Sequence, residues 1–227
     1  MLPKDIKNPK LYTFGIVFIL CFLIFAAIIN YFTWSKGVNL NIIYFVIWTL
    51  LYLPIFIFHK YSNWSIKDFG FDLNYKIITL TLLAFLLVIF NVSNLSIYNW
   101  KDSLIEMYAR TGEELFFRGF IFMFVLKLFK NKKFSWIWAI LISSICFTVV
   151  HTQTFLPNNN STMIDIFLIA IGLSILRHWT KSILPGIIIH ISSNSSSMFG
   201  IIIGIIFYYI FILVAYFKGE KYFERKT

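Results

Sequence analysis

Long apolar runs separated by short polar segments recur along the whole chain, and they constrain its fold more than any other feature. A bilayer core about 30 Å thick is crossed by about 20 helical residues. The first and fourth runs reach that length, whereas the third, sixth and seventh are short and suit helices shielded by neighbours in a bundle. The pattern predicts an all-α, polytopic membrane helix bundle of about eight transmembrane helices. The eight candidate spans are approximately Leu11–Phe32, Asn41–Phe58, Ile77–Phe90, Leu104–Leu126, Phe134–His151, Met163–Leu176, Ile183–Ser197 and Gly200–Phe217.

The composition excludes most other classes of protein. Hydrophobic residues make up 59% of the chain and charged residues only 13%, against about 45–50% and about 25% in soluble domains. An ordinary cytosolic enzyme, a disordered chain and a secreted disulfide scaffold are therefore not expected. The sequence has no internal repeat, Pro/Gly-rich linker or polar second domain. Residues 1–227 are predicted to form a single integral-membrane domain.

The positive charges predict the orientation in the bilayer. The formal net charge is +10, which in a membrane protein reflects Lys and Arg in cytoplasmic loops, so no nucleic-acid partner is expected. With a cytoplasmic N-terminus, sixteen of the 20 Lys and Arg residues fall on the cytoplasmic side. Only Lys36 and Lys101 fall on the opposite side, and Arg110 and Arg118 fall within the fourth span. This distribution predicts a multi-pass protein of the cell membrane with both termini in the cytoplasm.

The fourth span contains two adjacent glutamates and an arginine at membrane depth. Charged residues there are rare and face the bundle interior or a cavity. Glu114 and Arg118 are separated by one helical turn and can pair, whereas Glu113 points about 100° away. We therefore expect Arg118 to neutralise Glu114 and leave Glu113 free for chemistry. The alternative is that all three residues only hold helices together.

Two later spans carry further polar groups. His151 ends the fifth span, and the seventh contains His190 and Asn194, one turn apart. Taken singly, each is explained by packing or by an interfacial position. Taken with Glu113, they are the parts of a hydrolytic site, because glutamate and histidine can hold and deprotonate water or bind a metal that activates it. An imidazole or carboxamide N–H can stabilise an oxyanion.

The ordered motifs resemble those of the CPBP family, the CAAX-processing and bacteriocin-processing intramembrane endopeptidases also called the Abi family. Glu-Glu-x-x-x-Arg stands at Glu113–Arg118, Phe-x-x-x-His at Phe147–His151 and His-x-x-x-Asn at His190–Asn194. The motif-bearing core covers about residues 104–200. The resemblance implies a CAAX-protease-like helical fold and cleavage of peptide bonds in or near the bilayer.

The resemblance also implies roles for individual residues. Glu113 is the catalytic glutamate, His151 helps to hold the attacking water, and His190 and Asn194 stabilise the oxyanion. Structural support is then expected from Glu114, Arg118 and Phe147. Metal dependence stays open: zinc is the alternative, with Glu113, His151 and His190 as its candidate ligands.

The chain is thus predicted to be an intramembrane endopeptidase acting on peptides or membrane proteins. Peptide maturation, bacteriocin immunity and surface-protein regulation are the expected settings. The alternative is a non-catalytic immunity or regulatory binding protein that retains the protease fold. The predicted topology places Glu113, His151 and His190 together in the outer half of the bilayer. A single site requires that they lie in the same half.

Overall fold

The structure, a computed structural model, describes residues 9–36, 41–62, 64–71, 108–130, 132–151 and 162–194. For residues 34–36, 41–45 and 191–194 only the backbone is described. The described part is helical and contains no strand. Its helices are α1 (Pro9–Lys36), α2 (Asn41–Tyr61), α3 (108–128), α4 (Ser135–Val150), α5 (Met163–Thr180) and α6 (Leu184–Asn194).

The helical class predicted from the apolar runs is confirmed, but the count of eight spans is not. Within the described ranges, two helices are long and apolar enough to cross a membrane, Pro9–Thr33 and Met163–Thr180. Val46–Tyr61 and Ser135–Val150 are apolar but shorter. The predicted spans Ile77–Phe90 and Gly200–Phe217 lie outside the described residues.

Helix α5 differs from its predicted span at one end. Its start is a capping box, in which the Thr162 hydroxyl accepts a hydrogen bond from the Asp165 amide and the Thr162 amide donates to the Asp165 carboxylate. Such a cap satisfies amides that have no partner within the helix. The predicted span ended at Leu176, whereas the helix continues to Thr180. His178 therefore lies in the last helical turn and stacks on Trp136 of α4.

The centre of α3 is a π-helical segment, Leu115–Ile121, all of whose residues are buried. The amide of Phe122 donates to the carbonyl of Phe117, five residues back, and Ser143 of α4 donates to the same carbonyl at 3.0 Å. Segments of this kind occur often at functional sites, because they rotate the residues that precede them relative to those that follow. Glu114 directly precedes this segment and is its N-cap residue.

The segment after α2 packs against the π-helical part of α3. A Cβ atom added at Gly119 would lie 3.0 Å from the Phe69 carbonyl oxygen, so only glycine fits there without movement of the backbone. The guanidinium of Arg177 donates to the Asp68 carbonyl at 2.8 Å, and the Ile183 amide donates to the Gly70 carbonyl at 3.0 Å. This segment therefore ties α3 to the end of α5 and the start of α6.

Candidate active site

Glu113, His151 and His190 lie near the end of the bundle where α1 and α4 end and α2 and α3 begin. A cavity of about 250 Å³ lies there, and its polar lining includes Arg110, Glu113 and His151. The wall that α1 and α2 contribute is mainly apolar, through Phe22, Ala26, Ile47, Trp48 and Leu51. Glu113, His151 and His190 therefore lie in the same part of the bundle, as the topology required. Which side of the membrane this end faces stays a prediction.

The pairing of Glu114 with Arg118 is confirmed. Arg118 Nη1 lies 2.9 Å from Glu114 Oε1, and both side chains are 0% exposed. The guanidinium also lies over the ring of Phe147, 4.2 Å from its centroid. Arg118 thus neutralises a carboxylate that would otherwise be a lone buried charge, whose burial is costly.

The sequence suggested that Glu113 is free of an ion-pair partner. In the structure it is instead paired with Arg110. Arg110 Nη1 lies 3.2 Å from both carboxylate oxygens of Glu113. The two residues are three positions apart on α3, a spacing at which helical side chains meet. Their side chains are 25% and 13% exposed, so this pair lies at the cavity and not in the core. Arg110 fixes the carboxylate in place while leaving part of it accessible.

His190 bridges the two glutamates. Its Nδ1 lies 2.9 Å from Glu114 Oε1, and its Nε2 lies 3.6 Å from Glu113 Oε2. A carboxylate only accepts hydrogen bonds, so Nδ1 carries a proton, an assignment made from geometry. The sequence pairs His190 with Asn194. In the structure Asn194 ends α6, one turn beyond His190, and its side chain lies outside the described part.

His151 is the C-cap residue of α4, where the chain leaves the helix. Its Nδ1 donates to the Phe147 carbonyl at 2.7 Å, so in the neutral ring the lone pair is on Nε2. The ring centroids of His151 and Phe147 are 4.4 Å apart, and those of Phe147 and His190 are 5.7 Å apart. The phenyl ring of Phe147 therefore separates and orients His151, His190 and Arg118.

The three candidate zinc ligands do not form a metal site as they are placed. Over the described ranges, no group of three or more His, Cys, Asp or Glu side chains is arranged to hold an ion. Arg110 already supplies the positive charge at the Glu113 carboxylate. The Nδ1 atoms of both histidines face protein acceptors, Glu114 for His190 and a carbonyl for His151, so only Nε2 of each ring could bind an ion.

Two residues at this site were missed in the sequence. Arg110 precedes Glu113 by three residues, so helical spacing could have indicated a pair with one of the two glutamates. Asn30 lines the cavity and donates a hydrogen bond from α1 to the Val150 carbonyl. Its only signal was a carboxamide within a long apolar run, where polar groups need a partner inside the protein.

One comparison with known proteins gives a match. The family model of the type II CAAX prenyl endopeptidase Rce1-like proteins matches residues 77–196, just over half of the chain. The matched stretch contains all three motifs, from Glu113 to Asn194, and begins after α1 and α2. Neither the curated proteins nor the solved structures give a match.

Proposed function

Since the chain belongs to the type II CAAX prenyl endopeptidase Rce1-like family, a family of membrane-embedded proteases, we propose that it is an intramembrane endopeptidase that uses a water activated by Glu113. One observation carries the proposal. Glu113 reaches a cavity that His151 also lines, and its Oε2 lies 3.6 Å from His190 Nε2. This proximity supports the assignment of a base, a second water-binding group and a polar group for the oxyanion to one site.

In the first step, water is held between Glu113 and the Nε2 lone pair of His151. The Glu113 carboxylate accepts one proton from the water, whose oxygen then attacks the carbonyl carbon of the scissile bond. The proton moves from Glu113 to the leaving amine nitrogen as the tetrahedral intermediate collapses. A positioned base of this kind contributes about 10²–10⁴-fold to the rate.

The oxyanion of the intermediate needs a hydrogen-bond donor. Because Nδ1 of His190 already donates to Glu114, Nε2 can donate only when the ring is doubly protonated. Glu113 and Glu114 lie on the two sides of that ring. The carboxamide of Asn194 is the second proposed donor.

The remaining groups act by orientation. Arg110 holds the carboxylate of Glu113, and Arg118 holds that of Glu114, so the four charges sum to zero. A balanced set is needed, because an isolated charge in the low dielectric of a membrane protein is expensive. No step of this mechanism runs through a metal ion.

The proposed substrates are peptides or segments of membrane proteins. An extended chain would present its scissile bond to Glu113 and pack apolar side chains on the wall formed by α1 and α2. Peptide maturation, bacteriocin immunity and surface-protein regulation are the proposed settings.

The test compares the parent protein with Glu113→Gln, purified in lipid nanodiscs and incubated with a library of quenched fluorescent peptides. The variant should fold normally and lose at least about 10²-fold in turnover. Asp165→Asn is the matched control, because this carboxylate is an exposed helix cap away from the cavity. Normal turnover by Glu113→Gln would refute the mechanism. A cellular phenotype that survives Glu113→Gln would favour the alternative of a non-catalytic immunity or regulatory protein.

A further inference from the structure

The end of α4 is held by contacts that involve His151 itself. The last carbonyls of a helix have no partner within it. Here the amide of His151 donates to the Thr148 carbonyl at 3.0 Å, and its Nδ1 donates to the Phe147 carbonyl at 2.7 Å. The Val150 carbonyl is satisfied from another helix, because Asn30 Nδ2 of α1 donates to it at 2.5 Å.

The bond from Asn30 acts on the backbone of His151 directly. The carbonyl of Val150 and the amide of His151 belong to one peptide group, which is planar. Asn30 donates to the oxygen of this peptide group, and the nitrogen of the same group donates to the Thr148 carbonyl. With Nδ1 fixed as well, the imidazole of His151 has little freedom to move relative to the cavity.

We infer that Asn30 is a positioning residue for His151, so that α1 completes an active site whose chemical groups come from elsewhere in the chain. This inference rests on the proposed function, since it concerns the same site. Asn30 lines the cavity together with Glu113 and His151. The family match begins at residue 77, so the motifs of the family do not include this contact.

The expected effect follows from the geometry. Without the amide of Asn30, the Val150 carbonyl has no donor from α1, and the last turn of α4 can open. Displacing a catalytic group by about 1 Å can cost about 10²-fold in rate. Asn30→Leu, which keeps the size but removes the donor, should therefore lower kcat about 10–100-fold. KM should change by less than about threefold, because the other apolar residues of α1 and α2 that line the cavity stay in place.

Thr13→Val is the matched control. Thr13 is an exposed residue of α1 outside the cavity, and its hydroxyl donates to the Pro9 carbonyl of its own helix at 3.3 Å. The change removes a polar group from α1 without touching α4 or the cavity, so kcat should stay near that of the parent protein. Asn30→Gln keeps an amide donor and should recover part of the lost rate. The kinetics use a quenched fluorescent peptide that the parent protein cleaves.

A second measurement does not depend on turnover. Hydrogen–deuterium exchange of the peptide covering residues 144–151, followed by mass spectrometry, reports the opening of the last turn of α4. Exchange should be about tenfold faster in Asn30→Leu than in the parent and unchanged in Thr13→Val. Equal exchange in all three proteins would overturn the inference, as would faster exchange with an unchanged kcat. If the parent protein cleaves no peptide, the proposed function fails, whereas the exchange still decides whether Asn30 holds α4.

Discussion

Replacing Arg118 by leucine removes one partner of a fully buried ion pair and leaves the other in place. Glu114 is 0% exposed, and its described polar contacts are with Arg118 and His190, each at 2.9 Å. Breaking such a pair typically costs about 3–5 kcal/mol, because the remaining charge is uncompensated. The loss of the contact between Arg118 and the ring of Phe147 acts in the same direction.

The same substitution at Arg110 is the matched control. Arg110 and Arg118 lie on one helix and each pairs with a neighbouring glutamate, but the pair formed by Arg110 lies at the cavity, with side chains 25% and 13% exposed. A partly solvated pair contributes about 1 kcal/mol or less. For a chain of this size, 1 kcal/mol corresponds to about 2–4 °C in Tm. Arg118→Leu should thus lower Tm by roughly 10 °C, and Arg110→Leu by a few degrees at most.

A double variant separates the lost charge balance from the lost packing. Adding Glu114→Gln to Arg118→Leu removes the uncompensated charge, so part of the lost Tm should return. All variants are measured by thermal unfolding in the same detergent. Similar decreases for Arg118→Leu and Arg110→Leu would refute the argument from burial. A double variant less stable than Arg118→Leu alone would refute the argument from charge.

Two further predictions concern the metal and the orientation. Active protein purified without added metal is expected to contain well below one ion per chain, and chelators should leave turnover unchanged; one tightly bound ion per chain in elemental analysis would reverse this assignment. A cysteine introduced at Gln153 should react with an impermeant thiol reagent on intact cells, whereas one at Asn131 should not. Labelling only at Asn131 would invert the topology and direct the search for substrates to cytoplasmic peptides.

The features that the sequence predicted correctly depend on residues close together along the chain. The contact between Glu114 and Arg118 is set by a spacing of four residues. The helical nature of the apolar runs follows from their length in a solvent that cannot satisfy backbone groups. Each of these features can be read in a short window, because helix geometry fixes which side chains are neighbours.

The features that the sequence did not predict depend on contacts between helices. The π-helical segment Leu115–Ile121 is stabilised partly by Ser143 of α4, which donates to a carbonyl within it. The bridge from His190 to both glutamates depends on how α6 packs against α3. Arg110 is an exception, since its spacing from Glu113 was readable. Spacing alone does not decide which glutamate Arg110 contacts, because Glu114 lies four residues away and Glu113 three.

The five charged and titratable groups form a row, in the order Arg118, Glu114, His190, Glu113 and Arg110. Each carboxylate contacts one arginine and one nitrogen of His190, and at Glu114 both contacts are to Oε1. The two halves differ in burial, because Glu114 is fully enclosed and Glu113 reaches the cavity. The enclosed half can fix the orientation of the imidazole but is closed to water. The half at the cavity has the longer contact, 3.6 Å, and it is open to a water and a peptide bond. This asymmetry is the physical reason to assign proton transfer to Glu113 and orientation to Glu114.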